Sequence, residues 1–193
     1  MRAILLPGGI LPAGPAYAGL LAAFGGDVDA RTKDLEVYAG ERVPPPGYGL
    51  ETEIDGIDRL AGEAGFDRFH LVGYSAGGAS SLAYALTRPE RLLSLTLSEP
   101  AWAGADGRTP EEIAAADLIF AAIALPPAQM LPAFTVAQLA DGVEPPPPTD
   151  GPAPPWMASR PAGTEALAAA FQRFDVSAER IRAFDRPVLE AAL

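Results

Sequence analysis

The chain has 193 residues, 49% of them hydrophobic and 20% charged, with a formal net charge of −11, one His and no Cys. That length and apolar fraction suit a globular domain with a sizeable core and exclude a disordered acidic polymer. Zero Cys excludes a disulfide scaffold, a zinc ribbon and a Cys nucleophile, a single His excludes a two-His metal site, and the acidic balance argues against nucleic acid or an anionic membrane as partner.

At the N-terminus the apolar run Ala3-Ile4-Leu5-Leu6 stops at Pro7-Gly8-Gly9. It is shorter than the core of about 7–15 residues that a signal peptide needs, and reads as a short buried strand feeding a tight turn. Residues 15–24 read as a helix closed by Gly25-Gly26, and 28–35 alternate weakly as a second strand. A loop rich in Pro and Gly covers 40–49. Leu50, Ile54, Ile57, Ala61 and Ala64 then recur at helical spacing, with acids in the first turn, and Gly65 stops the helix. Residues 69–72 form the next strand, which runs into Gly73-Tyr74-Ser75-Ala76-Gly77-Gly78; 79–87 read as a helix and 92–97 as a strand. Strands alternating with helices need crossovers, and strands buried on both faces read as near-continuous apolar runs. The fold class is therefore α/β, a mostly parallel sheet flanked by helices.

After Glu99-Pro100 the texture changes. Thr109-Pro110-Glu111-Glu112 is a helix start, with Thr as cap, Pro at the first position and Glu closing a capping box. An Ala-rich helix follows to about residue 124. The uncharged stretch 118–140 is cut by Pro126, Pro127 and Pro132 into Pro-broken segments, each short of the roughly 20 residues a membrane span needs. The chain accordingly reads as soluble and, lacking a leader, cytoplasmic. Prolines in 145–148 and 152–155 suggest an extended connector. Residues 164–174 and 177–184 read as two more helices, and Pro187-Val188-Leu189 as a strand returning to the sheet. The expected organisation is a core over 1–101, a helical insertion over 102–182, and the start of a returning core strand over 183–193.

The chemistry concentrates at Gly73-Tyr74-Ser75-Ala76-Gly77, a G-x-S-x-G sequence between an apolar strand and a helix. A Ser on so sharp a strand-to-helix turn needs small residues two positions before and after it, and Gly73 and Gly77 supply them. Ala76, opening the helix, is placed to donate its amide to a developing oxyanion. Pro7-Gly8-Gly9-Ile10 ends the first strand, where Gly permits close backbone approach; a second donor would be the amide of Gly9 or of Ile10.

Leu5-Leu6-Pro7-Gly8-Gly9, Asp34-Leu35, the run from His70 to Gly78, Arg88-Pro89-Glu90-Arg91-Leu92 and Glu99-Pro100-Ala101 together resemble an α/β-hydrolase-fold serine hydrolase of bacterial type. The resemblance covers residues 2–101, makes 102–182 a lid, and implies Ser75 as nucleophile, activated by a His that an Asp or Glu orients. Glu99, after the strand that follows the Ser turn, is a candidate for that acid; its other reading is a strand-end residue capping a loop. Two departures stand out. Pro7-Gly8 replaces the His-Gly usual in the family, and the catalytic His belongs after the last strand, beyond this sequence, so the resemblance implies a chain incomplete at its C-terminus.

His70 cannot substitute. It lies five residues before Ser75 in the incoming strand, about 16 Å away along an extended backbone at about 3.3 Å per residue, outside the hydrogen-bond reach of a general base. Lys33, the only Lys, has no role in this fold's chemistry. The family reading implies hydrolysis of a small, largely apolar ester or thioester by an acyl-enzyme, with no cofactor, no metal and no nucleic-acid or membrane partner. Tyr74, Phe134, Trp156 and Met157 are candidate substrate contacts, their other reading being plain packing. These residues alone should turn over weakly or not at all. A non-catalytic binding protein on a shortened hydrolase fold is the alternative.

Overall fold

A computed structural model describes residues 1–101, 108–140, 142–145, 147, 152–174 and 176–191. Its centre is a five-stranded, wholly parallel sheet in the order β2-β1-β3-β4-β5, built from β1 (Arg2–Leu6), β2 (Asp29–Thr32), β3 (Phe69–Tyr74), β4 (Leu92–Ser98) and β5 (Val188–Ala191). The apolar runs at 2–6, 69–72 and 92–97 are the three inner strands. Ile4, Leu5, Leu6, Phe69, Leu71, Leu92 and Leu95 are buried because the inner strands are covered by other elements. β2 and β5 are the edges, and β5 is exposed at all of its positions.

Helices cover the sheet unequally. α1 (Ala13–Ala23) lies on one face, where Ala13 and Tyr17 pack on Ala3 and Leu5. α2 (Leu50–Glu63) and α3 (Ala76–Thr87) lie on the other, and the spacing seen in the sequence puts Leu50, Ile54, Ile57 and Ala61 into the larger core cluster. Gly65 ends α2 in the left-handed region at φ 67°. α3 starts at Ala76, earlier than the pattern from 79 suggested, because Ser75 itself is the turn residue.

β2 is shorter than the span 28–35. Its continuation is drawn away by Asp34, whose Oδ1 accepts the Ala13 N–H at 2.6 Å and so caps α1 from a distance. A 3₁₀ turn, Glu36–Tyr38, follows in place of a longer strand.

Between β4 and β5 stand α4 (Pro110–Ile123), α5 (Pro127–Val136), α6 (Arg160–Arg173) and α7 (Ala178–Ala183). Thr109 caps α4 as its sequence suggested: its Oγ1 accepts the Glu112 N–H at 3.2 Å, while Glu112 accepts the Thr109 N–H at 2.7 Å. α5 corrects the expectation of Pro-broken segments. It runs through Pro132 as a helix, with buried Met130 anchoring it. Pro132 has no N–H to donate and its ring crowds the preceding turn, a cost that burial of Met130 helps to offset. Trp102, where the insertion was expected to begin, lies outside the described residues, as do Pro146 and Pro148 of the proline connector. Among the described residues no helix is long and apolar enough to cross a membrane.

Candidate active site

β3 delivers Ser75 to the end of the sheet, and α3 leaves from it. Ser75 has φ 50° and ψ −116°, a conformation costly for a residue with a Cβ. The surroundings hold it there. Its N–H donates to Ser98 O at 2.9 Å, and its carbonyl accepts from Ala79 N at 3.1 Å and Ala101 N at 2.9 Å. A Cβ on Gly73 would fall on the Gly77 carbonyl and Ser81 Oγ, and one on Gly77 would fall on the Pro7 and Leu6 carbonyls. Both glycines are therefore required by close backbone approach, the reason the sequence pattern carries information.

The loop after β1 is tied to the same turn. Gly77 N donates to Pro7 O at 3.0 Å. A Cβ on Gly9 would stand 3.5 Å from the Ala76 Cβ, so the two loops that carry the candidate oxyanion amides lie side by side. The Ala76 N–H is among the first amides of α3, which have no partner within the helix.

Two cavities, of about 440 and 590 Å³, flank Ser75 and share Gly9, Ile10, Tyr74, Ser75, Phe134 and Gln138 in their walls. The first is roofed by α4 and α6 through Ile119, Phe120, Ile123, Leu167 and Phe171, with Glu99, Arg108 and Thr164 among its polar members. The second reaches Tyr17, whose hydroxyl donates to Leu6 O at 2.6 Å and whose pKa burial pushes up to about 12, so that it stays a donor.

Ser75, Ala76, Gly9, Ile10 and Glu99 all line the smaller cavity, together with Tyr74 and Phe134. Glu99 is the second non-glycine residue with positive φ, at 43°, and its N–H donates to Ala191 O at 3.0 Å. Trp156 and Met157 line neither of the two cavities; Trp156 instead sits 5.0 Å from the Arg160 guanidinium, in the 3₁₀ turn Pro155–Ser159. The cavity wall includes instead the i, i+4 stripe Ala115, Ile119 and Ile123 of α4, a periodicity present in the sequence. His70 is engaged away from Ser75: its Nδ1 lies 2.7 Å from Ser94 Oγ across the β3–β4 pair.

A second group of residues had no sequence signal. Glu53, fully buried on α2, accepts the Glu36 N–H at 2.9 Å, the Val37 N–H at 3.0 Å and the Tyr48 hydroxyl at 2.8 Å, with Lys33 Nζ at 3.8 Å. Burial pushes the Glu53 carboxyl up, against the pull of Lys33 and these hydrogen bonds. Lys33 itself pairs with Glu36 at 2.8 Å. Among the described residues no group of three His, Cys, Asp or Glu could hold a metal ion.

A family profile for the alpha/beta hydrolase fold matches residues 45–175, more than half of the chain. The chain belongs to the α/β-hydrolase fold family. A probable hydrolytic enzyme from Pseudomonas aeruginosa PAO1 superposes with a TM-score of 0.64 at 15% identity, over 99% of this chain and 64% of that one. The 2-hydroxy-6-oxo-6-phenylhexa-2,4-dienoate hydrolase from Rhodococcus sp. strain RHA1 gives 0.64 at 18% identity, over 99% and 72%. The carboxylesterase CesB from Bacillus subtilis gives 0.62 at 17% identity, over 98% and 64%. The chain thus spans less than two thirds of the length of the Pseudomonas and Bacillus structures. No curated protein sequence matches it.

Proposed function

We propose that this α/β-hydrolase family chain carries the nucleophile half of a serine hydrolase acting on a small, largely apolar ester or thioester. The observation that carries the reading is Ser75, held at φ 50° between two glycines that cannot bear a Cβ, at the junction of two cavities. In the proposed step the Ser75 Oγ gives its proton to a base and attacks the substrate carbonyl carbon. The carbonyl oxygen takes the electron pair and is held by the Ala76 amide and that of Gly9 or Ile10. The tetrahedral adduct collapses, the alcohol or thiol leaves with a proton, and water then releases the acid from Ser75. The apolar wall from α4 and α6 suits an apolar acyl group, with residues 102–182 as a lid, and Glu99 is the proposed orienting acid.

The base is proposed to come from polypeptide outside these residues, since the single His in the sequence, on β3, is bound to Ser94 of β4. A Ser enzyme lacking its base keeps only the catalysis of oxyanion donors and binding, which is orders of magnitude below that of the full triad. Turnover of p-nitrophenyl acetate and butyrate by residues 1–193 should therefore be weak and should fall to the buffer rate in Ser75→Ala. Turnover that survives Ser75→Ala would remove Ser75 from the mechanism; vigorous Ser75-dependent turnover would overturn the external base. The engagement of His70 with Ser94 also favours a second reading, a binding protein that uses the cavities without chemistry, for which Ser75→Ala would leave ligand affinity unchanged and no turnover would be found in either chain.

A further inference from the structure

One contact joins the loop after β1 to the helices above it and lies outside the Ser75 turn. The Tyr38 hydroxyl donates to the Gly9 carbonyl. Tyr38 is not held there by its own segment alone. Its 3₁₀ turn is pinned from below by the Glu53 carboxylate on the Glu36 and Val37 amides. From above, α6 closes on the ring: the Arg160 guanidinium stacks 3.8 Å from its centroid, Thr164 Oγ1 lies 3.5 Å from its hydroxyl, and a Cβ at Gly163 would collide with it. Arg160 is buried, its Nε has no hydrogen-bond partner, and its guanidinium lies 3.8 Å from the Tyr38 ring centroid and 5.0 Å from that of Trp156, so stacking on Tyr38 is a principal contact of this charge. Burial raises the Tyr38 pKa, which keeps the hydroxyl protonated and a donor.

The peptide bond is planar and trans, so a donor that fixes the Gly9 carbonyl fixes the Ile10 N–H of the same plane pointing the opposite way, and restrains the Gly9 Cα that carries the other candidate amide. Leu167 of α6 lies against the same glycine, 3.4 Å from where its Cβ would be. We propose that Tyr38 is a positioning residue: it sets the loop bearing the second oxyanion amide, and α6 acts on it through Arg160 and Gly163, so that the packing of α6 and the assembly of the oxyanion site are coupled. This rests on the Ser75 reading for its catalytic meaning, but the coupling itself is a property of the fold.

Hydrogen–deuterium exchange on residues 1–193 separates the two. In Tyr38→Phe, which keeps the ring and removes only the hydroxyl, exchange of the Gly77 amide, which donates to Pro7 O of this loop, should rise about tenfold, the equilibrium weight of one hydrogen bond, with α2 and β3 unchanged. Arg160→Met should raise the same exchange in the parent and add little in the Tyr38→Phe background, because both act through one contact. Unchanged exchange of the Gly77 amide in Tyr38→Phe, or an Arg160→Met effect of equal size in both backgrounds, would overturn the proposal. As the chemical readout, a p-nitrophenyl alkylphosphonate should modify Ser75 about tenfold more slowly at saturation in Tyr38→Phe with its half-saturating concentration unchanged; a rise in that concentration at an unchanged saturating rate would assign Tyr38 to ligand binding instead and also overturn it. If Ser75 of the parent chain takes no phosphonate, the Ser75 reading fails while the exchange result still decides the role of Tyr38.

Discussion

Gly77→Ala is expected to destabilise the fold by about 3 kcal/mol, at the upper end of the usual cost of overpacking. The new Cβ would fall on the carbonyls of Pro7 and Leu6, which are backbone at the end of the inner strand β1 and cannot swing aside as a side chain can. Relief requires α3 to withdraw from β1, which breaks the Gly77 N to Pro7 O bond at 3.0 Å and widens the gap between the two loops around Ser75. For a domain of this size the melting temperature should fall by roughly 10 °C. Gly62→Ala is the matched control. It sits in α2 with nothing within 4 Å of its would-be Cβ, and should be neutral or stabilising by up to about 1 kcal/mol. Thermal and urea denaturation of the two variants decide the matter; equal melting temperatures would mean that the close approach at Gly77 is relieved without cost.

Glu53→Ala should cost a comparable amount, about 3 kcal/mol, for a different reason. Removing the carboxylate strands the Glu36 and Val37 amides and the Tyr48 hydroxyl together, and each buried donor without an acceptor costs about 1–3 kcal/mol when water cannot reach it. Lys33 keeps Glu36 at 2.8 Å, which limits the loss. Glu53→Gln should fall between alanine and the parent, because one amide oxygen still accepts while the NH₂ faces a backbone donor. Urea midpoints of the three chains check the order. A Gln variant as unstable as alanine would mean that charge, rather than acceptor geometry, is what holds the 3₁₀ turn.

The parts legible in the sequence are those whose cause is local. Residues 2–6, 69–72 and 92–97 read as buried parallel strands because burial on both faces leaves no polar position, and α2 because its core face repeats at helical spacing. The Ser75 turn was legible for the same reason: the steric demand falls on Gly73 and Gly77, two positions away. What was not legible depends on distant partners. The 3₁₀ turn Glu36–Tyr38 exists because Glu53 accepts its amides across 16 and 17 residues, and Tyr38 meets Gly9 across 29. No window of sequence holds both ends of those contacts. Trp156 stands beside the Arg160 guanidinium, while Ala115, Ile119 and Ile123 of α4 line the cavity, and which apolar residues face it depends on how the helices pack rather than on residue type. Pro132 was read as a break because propensity counts its missing donor and not the burial of Met130 beside it.

The assignment of Ser75 as the nucleophile is tested most directly by exposing residues 1–193 to a reactive alkyl fluorophosphonate and mapping the adduct by mass spectrometry. The expected result is one adduct per chain, on the peptide containing Ser75, formed slowly because the only His of the sequence is engaged with Ser94, and absent from Ser75→Ala. An adduct on another hydroxyl, such as Ser98 or Tyr74, or equal labelling of the Ser75→Ala chain, would contradict it.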